Sequence, residues 1–263
     1  MPRPGEKPWP SAGRFRKLES NMETKLLING FPVRARFSER TIDSVLVPFL
    51  RQIAALHRKS GTRQIVFLAA PPGAGKTTLA AFLEAFAVHL PGMPSLQALG
   101  MDGFHFSRKE LAEKTIWRAG EQIPMQRVKG APETFNAAAL RDTLTGLRAQ
   151  DGLWPAYDRR LHDTVPDALR VTADILLVEG NYLLLDAPVW HDLPHDYAVF
   201  LRAEEEQVRE RLIARKIQGG ASEQAAQAFY DFCDGPNVRL CLSNRMPGDE
   251  VWQLNGAGEI ARC

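Results

Sequence analysis

The sequence contains few cysteines, little excess of either charge and no long apolar run. Its three cysteines, Cys233, Cys241 and Cys263, show no metal-binding spacing, so neither a disulfide framework nor a zinc site is predicted. No apolar run approaches the ~18 residues of a membrane span, and the N-terminus lacks the apolar core of a signal peptide. We therefore expect a cytoplasmic protein without a membrane partner.

The charge balance and the hydrophobic content are both ordinary. Thirty-three basic residues oppose thirty-one acidic ones, a formal net charge of +2, in a chain of 263 residues that is 44% hydrophobic. This composition is typical of a soluble globular protein and does not call for nucleic acid as a partner. The proline-rich, basic residues 1–24 are predicted to form a flexible tail, and a nucleic-acid-binding arm is the alternative interpretation.

Residues 64–79, QIVFLAAPPGAGKTTL, contain the clearest motif. From Ala70 they read A-x-x-x-x-G-K-T, a P-loop with alanine in place of the first glycine, between a buried-strand signal and a helical pattern. Glycine lets backbone N–H groups turn towards phosphate oxygens, and a helix N-terminus favours negative charge. Lys76 is expected to reach the terminal phosphates of ATP, and the Thr77 hydroxyl to bind Mg²⁺. The predicted ATP-binding residues are Pro72, Gly73, Ala74, Gly75, Lys76, Thr77 and Thr78.

Strand signals alternate with helical patterns along most of the chain. This alternation indicates the α/β class and a P-loop NTPase fold, three α/β/α layers around a mainly parallel sheet. Residues 25–37 predict a hairpin around an Asn-Gly turn, and residues 38–58 an amphipathic helix. We expect a tail at residues 1–24, a small N-terminal hairpin and helix packed on the core at 25–60, and the main domain at 61–263.

The segment between the second and third core strands is unusually long. Ser107 and Glu110 have capping-box spacing and predict a helix over residues 107–120. Residues 126–136 predict a loop before a further helix, and residues 154–163 an irregular segment in which a proline excludes a simple helix. Seventy-one residues separate the two strands, far more than a plain crossover needs, so we expect a second wall over the site.

The C-terminal part of the chain is predicted to contain two helices and two strands. A charged helix is expected over residues 204–218 and a second helix over 222–232. A turn at residues 234–236 is then expected to lead to a strand over 238–242, with an edge strand over 249–254.

Two acids stand at the ends of predicted strands, where open α/β sheets bind ligands. Asp102 follows the second strand, 26 positions after Lys76, and Glu179 closes the third. We expect both acids to flank the P-loop if their strands neighbour it. Asp102 would accept a proton from a substrate hydroxyl, and Glu179 would hold Mg²⁺ together with Thr77. A simple turn before a glycine is the alternative role for Asp102.

Three classes of protein share the P-loop. A GTPase should carry an Asn-Lys-x-Asp motif, which the sequence lacks. A transport or mechanical ATPase usually has a second carboxylate beside its acid, but Gly180 follows Glu179 here. A kinase needs a base for the acceptor hydroxyl, metal ligands and mobile cations over the transferred group. The chain offers all three of these features.

The cations belong to the helix predicted at residues 204–218. Arg211 and Arg215 are four residues apart, and neither has an acid three or four positions away. Like charges at this spacing repel, so an anionic ligand would explain the pair, whereas a solvated helix face is the alternative. Arg209 has Glu205 and Glu206 as partners and is expected at the surface.

Four further motifs accompany the P-loop and the arginine-bearing helix: MDGFH, KGAPETFN, PAYDRRLH and VEGNY. In this order they resemble the phosphoribulokinase/uridine kinase family, which includes the bacterial pantothenate kinases, over residues 64–242. The resemblance implies that Asp102 is the catalytic base, that Glu179 is the acid of the metal site, and that the helix with Arg211 and Arg215 is a lid.

The same resemblance implies which residues face the acceptor. They are residues 132–136 with Tyr157 and His162, although the last two could instead pin an irregular loop. Lys129 would bind a phosphate on the substrate or lie at the solvated surface, and Asn181 would be a ligand or a turn residue. The candidate substrate-binding residues are therefore His105, Lys129, Tyr157, His162 and Asn181.

Together these observations predict a Mg²⁺-dependent kinase. It would transfer the γ-phosphoryl group of ATP to a hydroxyl of a sugar-, nucleoside- or pantothenate-like small molecule. The alternative is a P-loop ATPase or regulatory ATP-binding protein without a small acceptor. No nucleic-acid partner is expected, and a homodimer is compatible with the sequence. The predicted catalytic residues are Lys76, Asp102, Arg211 and Arg215, and the predicted metal ligands are Thr77 and Glu179.

Overall fold

A computed structural model describes residues 15–18, 20–28, 30–118 and 120–263. The strands are β1 (Phe15–Leu18), β2 (Asn21–Ile28), β3 (Phe31–Ser38), β4 (Gln64–Ala69), β5 (Leu96–Gly100), β6 (Thr115–Arg118), β7 (Glu121–Pro124), β8 (Gly152–Asp158), β9 (Asp163–Val171), β10 (Ile175–Gly180), β11 (Tyr197–Ala203), β12 (Glu250–Leu254) and β13 (Ile260–Arg262). The α-helices are α1 (Glu39–Thr41), α2 (Val47–Ser60), α3 (Lys76–Ala87), α4 (Arg108–Glu113), α5 (Ala137–Leu147), α6 (Glu205–Gln218), α7 (Glu223–Phe229) and α8 (Gly235–Ser243).

The central sheet has the strand order β13-β12-β11-β4-β10-β5, and all neighbours are parallel except the β12–β13 pair. All six residues of β4 are buried because helices cover both faces of the sheet. Val66 and Leu68 pack into one core cluster, whereas Ile65 and Phe67 pack into the other. This alternation is the two-residue period of a strand covered on both sides. The predicted three-layer α/β/α fold is confirmed.

The N-terminal segment forms its own antiparallel sheet, β1-β2-β3. The predicted tail at residues 1–24 is therefore wrong from Phe15 onwards, and its residues 1–14 lie outside the described residues. Phe15 is buried and contacts the rings of Phe82 and Phe86 edge-on, at centroid distances of 5.5 and 5.8 Å. Aromatic burial against α3 thus orders a segment whose basic, proline-rich composition favoured disorder.

The predicted hairpin and helix follow this edge strand. The hairpin is formed by β2 and β3, and Gly30 has the left-handed φ of 80° that its turn requires, while Asn29 lies outside the described residues. The helix begins with α1 and continues through a π-helical turn, Ile42–Leu46, into α2. Pro48, which has no N–H, lies just after this π-helical turn, where the regular hydrogen bonding of the α-helix is already interrupted.

Two segments of the long insertion are extended where a helix or an irregular loop was expected. The Ser107–Glu110 capping box is present, but α4 ends at Glu113 and is followed by the β6–β7 hairpin. The β-branched and aromatic residues of the TIW sequence at 115–117 favour this extended structure. Residues 154–163 lie largely in the β8–β9 hairpin, and the register shift between Trp154 and Ala156 accommodates Pro155.

The strand expected at residues 238–242 is wrong, because this segment belongs to α8. The turn expected at residues 234–236 is wrong as well, because α7 continues through a π-helical turn, Tyr230–Asp234, into α8. Pro236 lies just after this π-turn, and Val238 and Cys241 are buried at helical spacing. The predicted edge strand exists as β12, but β13 pairs with it and forms the edge instead. In the described part of the chain, no helix is both long and apolar enough to cross a membrane.

Candidate active site

The P-loop lies between β4 and α3, as its sequence predicts. Gly73 and Gly75 have φ values of 80° and 88°, which the loop requires and which glycine adopts without strain. A Cβ on Gly73 would lie 3.0 Å from Cγ of Leu212 and 3.2 Å from the Val208 carbonyl oxygen. Helix α6 therefore packs directly on the P-loop, and a side chain at Gly73 would push it away.

Thr77 and Glu179 meet beneath this loop. The Thr77 hydroxyl donates a hydrogen bond of 2.8 Å to Oε1 of Glu179. The register brings them together, because β10 runs parallel to β4 and pairs Glu179 with Leu68. Burial raises the pKa of Glu179, while the positive charge of Lys76 lowers it. A second cation at this point would favour the charged carboxylate, as expected for a metal ligand.

Asp102 stands further along the same edge of the sheet. It lies in a single 3-10 turn, Met101–Phe104, that follows β5, and β5 neighbours β10 rather than β4. The two acids therefore do not flank the P-loop, because both lie on the β10 side of it. The Asp102 side chain is 44% exposed, and its Oδ2 lies 4.0 Å from Nη2 of Arg159. Asp102 thus presents an accessible carboxylate beside a cation.

A cavity of about 490 Å³, which we call the P-loop cavity, lies over this region. It is lined by Lys76, Thr77 and Asp102. The five candidate substrate-binding residues also line it, although they come from four different segments: His105, Lys129, Tyr157, His162 and Asn181. The fold therefore brings the predicted acceptor residues together beside the P-loop and the accessible carboxylate.

Lys129 is held by the β8–β9 hairpin. Its Nζ donates a 2.9 Å hydrogen bond to the hydroxyl of Tyr157 and a 3.3 Å bond to the His162 carbonyl. His162 adopts a left-handed φ of 54°, which turns its carbonyl within reach of the lysine. The hydroxyl of Tyr182 donates a 2.6 Å hydrogen bond to the carbonyl of Gly130 and so holds the backbone next to Lys129 in place.

His105 is positioned by stacking and by a hydrogen bond. Its ring lies 3.7 Å from the ring of Phe135, and its Nδ1 lies 3.1 Å from the Thr134 carbonyl oxygen. A carbonyl can only accept, so Nδ1 carries the hydrogen and Nε2 of the neutral ring is an acceptor. Burial lowers the pKa of His105, and nearby Asp102 opposes that shift. At neutral pH the ring is therefore uncharged and offers one acceptor atom.

Asn181 follows β10 directly and also lines the P-loop cavity. Its Oδ1 is buried and has no hydrogen-bond partner within the described part of the chain. Leaving a buried acceptor unpaired is costly, so this atom calls for a donor such as water or a ligand.

Helix α6 contributes Arg215 to the cavity, but the described lining of the cavity does not include Arg211. Arg211 is exposed one helical turn earlier, so its role as a phosphate clamp stays a prediction. Arg209 contacts Glu206 at 3.0 Å as expected, whereas Glu205 contacts Arg239 instead.

Four residues that the sequence did not single out also line the cavity: Arg159, Lys216, Asp234 and Asn237. Arg159 belongs to the PAYDRRLH run and Lys216 follows Arg215, so both were adjacent to identified features. Burial raises the pKa of Asp234, while Arg215 and Lys216 oppose that rise. This cation cluster around one half-buried acid matches a site for a polyanion.

The chain is similar to several known proteins. The chain matches the family model described as an AAA domain, AAA_18, over residues 66–227. It is 41% identical over 240 residues to "Uncharacterized protein YggC" of Escherichia coli (strain K12), an alignment that covers 90% of this chain and 98% of that protein. It is 31% identical over 204 residues to "Putative uridine kinase C227.14" of Schizosaccharomyces pombe, covering 74% of this chain and 85% of that protein.

Among solved structures, one from Silicibacter sp. TM1040, titled a "putative fructose transport system kinase", superposes with a TM-score of 0.68. The two sequences are 30% identical, and the superposition covers 79% of this chain and 98% of that one. The similarity therefore extends over nearly the whole of that protein.

Proposed function

This chain belongs to the P-loop kinases of the uridine kinase family, and from that membership and the site geometry we propose that it is an ATP-dependent phosphotransferase acting in the cytoplasm. It transfers the γ-phosphoryl group of ATP to a hydroxyl of a sugar-, nucleoside- or pantothenate-like small molecule. One observation carries the proposal. The accessible carboxylate of Asp102 lines the same cavity as Lys76 and Thr77 of the P-loop, so an acceptor hydroxyl can lie between base and phosphate.

In this reaction the acceptor oxygen bonds to the γ-phosphorus while the bond to the β,γ-bridging oxygen breaks and ADP leaves. Asp102 accepts the proton of the acceptor hydroxyl. Lys76, Arg159, Arg215 and Lys216 line the cavity and stabilise the charge on the phosphate oxygens. The packing of α6 on Gly73 keeps two of these cations close to the P-loop.

The oxygen atoms of Thr77 and Glu179 fit a magnesium ion. Mg²⁺ prefers oxygen ligands and usually takes one or two from the protein, with phosphate oxygens and water completing its shell. Within the described residues no cluster of three or more His, Cys, Asp or Glu side chains could hold a metal by itself, which fits this shared mode of binding. When bound, Mg²⁺ neutralises charge on the β- and γ-phosphates.

The acceptor side of the cavity offers complementary polar atoms. Nε2 of neutral His105 and Oδ1 of Asn181 are acceptors, so they suit a ligand that presents hydroxyl or N–H donors. Nζ of Lys129 is a cation that suits an oxygen-rich or anionic group on the same ligand. Small hydroxylated metabolites have this chemistry, and neither nucleic acid nor a membrane is needed to fill the site.

A coupled ADP-release assay tests the proposal. Wild-type protein with Mg·ATP is screened against sugars, polyols, nucleosides and pantothenate, and Lys76→Ala serves as the inactive control. We expect at least one acceptor to stimulate ADP release and to yield a phosphorylated product by mass spectrometry. ADP release that no acceptor stimulates, together with loss of that release in Lys76→Ala, would instead support a P-loop ATPase.

A further inference from the structure

A second cavity, of about 790 Å³, meets the P-loop cavity at the reacting centre. Both cavities are lined by Thr77, Asp102 and Tyr157, so they adjoin at the accessible carboxylate. We call the second one the hairpin cavity, because the tip of the β2–β3 hairpin and the strands of the β8–β9 hairpin form two of its walls, and α3 and β5 form the others. Its volume is in the range of small-molecule sites.

Part of the wall of the hairpin cavity consists of small, apolar side chains. Ala80 and Ala81 of α3, Ala98 of β5 and Ala168 of β9 keep the space open. Leucines stand at its margin, and Leu27 is 74% exposed although it is large and apolar. A ligand with an apolar face would cover these surfaces.

The charged groups of the hairpin cavity disfavour an anion. Four carboxylates line it, from Glu84, Asp102, Asp158 and Glu179, against the single guanidinium of Arg160 in the described lining. That guanidinium already contacts the N-terminal hairpin, because its Nη2 donates to the Gly30 carbonyl at 3.5 Å and the group lies 6.0 Å from the Phe31 ring. The P-loop cavity has the opposite character, with Lys76, Lys129 and Arg215 among its cations.

We propose that the hairpin cavity binds a neutral, apolar-faced part of the acceptor, so that the substrate is an amphiphilic alcohol rather than a compact sugar. This inference rests on the proposed function, because it places the acceptor hydroxyl at Asp102 where the two cavities meet. The polar end of the acceptor lies among His105, Lys129 and Asn181, and its apolar arm extends between the tip of the β2–β3 hairpin and the strands of the β8–β9 hairpin.

Binding of Nile red, a neutral apolar fluorophore, tests the cavity without any turnover. Ala168→Trp fills the space from an exposed position, and Ala149→Trp places the same side chain at an exposed alanine outside the cavity. We expect saturable binding to wild type and to Ala149→Trp, and binding weakened by at least roughly tenfold, or about 1.4 kcal/mol, in Ala168→Trp.

A second pair of variants controls for the possibility that tryptophan at position 168 distorts the hairpin rather than filling the cavity. Leu27→Asp introduces a charge at the mouth of the cavity. Val88→Asp introduces the same charge outside the cavity, at an apolar residue that is 77% exposed, compared with 74% for Leu27. Only Leu27→Asp should weaken Nile red binding. Equal binding to wild type, Ala168→Trp and Leu27→Asp would overturn the proposal.

Acceptor pairs test whether this ligand is the substrate. Uridine is compared with ribose, to which it adds a neutral base. Pantetheine is compared with pantothenate, whose charged carboxylate it replaces with a longer neutral arm. We expect a higher kcat/KM for the extended member, a preference lost in Ala168→Trp and retained in Ala149→Trp. Equal kcat/KM within both pairs would overturn the assignment to the acceptor. If no acceptor stimulates ADP release, the proposed function fails, and specific Nile red binding alone still supports a ligand site.

Discussion

The hydroxyl of Thr77 donates a 2.8 Å hydrogen bond to the carboxylate of Glu179, although the two residues are 102 positions apart in the sequence. One stands at the start of α3 and the other at the end of β10, and the parallel pairing of β10 with β4 brings the two ends together. In our proposal the same two oxygens bind Mg²⁺, so the metal site depends on the pairing of these two strands.

Replacing this carboxylate should change the magnesium dependence above all. Glu179→Gln keeps an oxygen that can accept the Thr77 hydrogen bond but removes the negative charge that attracts the ion. We expect the Mg²⁺ concentration for half-maximal activity to rise by roughly tenfold, about the worth of one charge-assisted contact. Glu206→Gln, at an exposed acid of α6, is the control and should leave the magnesium titration unchanged.

Asp102→Asn separates a kinase from an ATPase. The substitution keeps the shape of the side chain and removes the oxygen that accepts the proton. Affinity for Mg·ATP should be close to that of wild type, because Lys76, Thr77 and Glu179 are untouched. Phosphoryl transfer should fall by roughly 10²–10⁴, the usual worth of a positioned base. Calorimetric ATP binding is measured beside acceptor-stimulated ADP release, and normal stimulated release would contradict the mechanism.

The three arginines of α6 should differ in their effects on rate. Arg215→Ala removes a cation that lines the P-loop cavity and should lower kcat by roughly 10–10³-fold. Arg209→Ala removes an ion pair with Glu206 and a hydrogen bond to Gln227 of α7, both outside the described lining of the cavity, and should leave kcat close to wild type. Arg211→Ala decides whether this exposed residue reaches the nucleotide. A similar loss of kcat in all three variants would show that α6 matters for folding rather than for phosphate binding.

The pH dependence of stability should carry a contribution from His105. Because burial lowers its pKa, the unfolded state binds a proton more readily than the folded state once the pH falls towards 6.5. Folding therefore loses stability as the pH falls through this range. We expect the free energy of unfolding of wild type, minus that of His105→Phe, to decrease between about pH 7.5 and pH 5.5. A difference that stays constant would mean that the ring is not buried in its neutral form.

Two glycine substitutions should change stability in opposite directions. A Cβ on Gly103 would lie 2.1 Å from the Pro155 carbonyl oxygen, so Gly103→Ala must push β8 away from the turn that carries Asp102. We expect a loss of roughly 1–3 kcal/mol in the free energy of unfolding and reduced activity. Gly146→Ala is the matched control, because nothing lies within 4 Å and the residue is inside α5, where alanine should add roughly 0.5–1 kcal/mol. Chemical denaturation of both variants measures these changes.

The sequence by itself determined the P-loop, the two acids and the fold class. These features are local, because a strand signal, a glycine turn and a helix that follow one another fix the position of Lys76 and Thr77. Likewise, an acid at the end of a parallel strand must lie at the ligand-binding edge of the sheet. The alternation of strands and helices indicated the three-layer architecture for the same reason, because the residue pattern of each element can be recognised within that element.

Short elements whose local signals conflict were predicted less well. The segment with Pro236 was expected to be a turn and a strand, but the helix continues from α7 through a π-turn into α8, and Val238 and Cys241 are buried at helical spacing. Residues 154–163 looked irregular because Pro155 hides the strand pattern, yet pairing with β9 across a register shift makes them extended. Phe15 likewise gains its partners only from α3.

Only the tertiary structure decided which candidates share a site. The strand order places Asp102 two strands away from the P-loop strand, on the same side as Glu179, and strand order follows from packing between distant segments. The β8–β9 hairpin brings Tyr157 and Arg159 to the cavity, and α6 brings Arg215 into its lining, whereas Arg211, one helical turn earlier, is not in the described lining. The hairpin cavity depends on the contact between two hairpin tips more than a hundred residues apart, which no local pattern encodes.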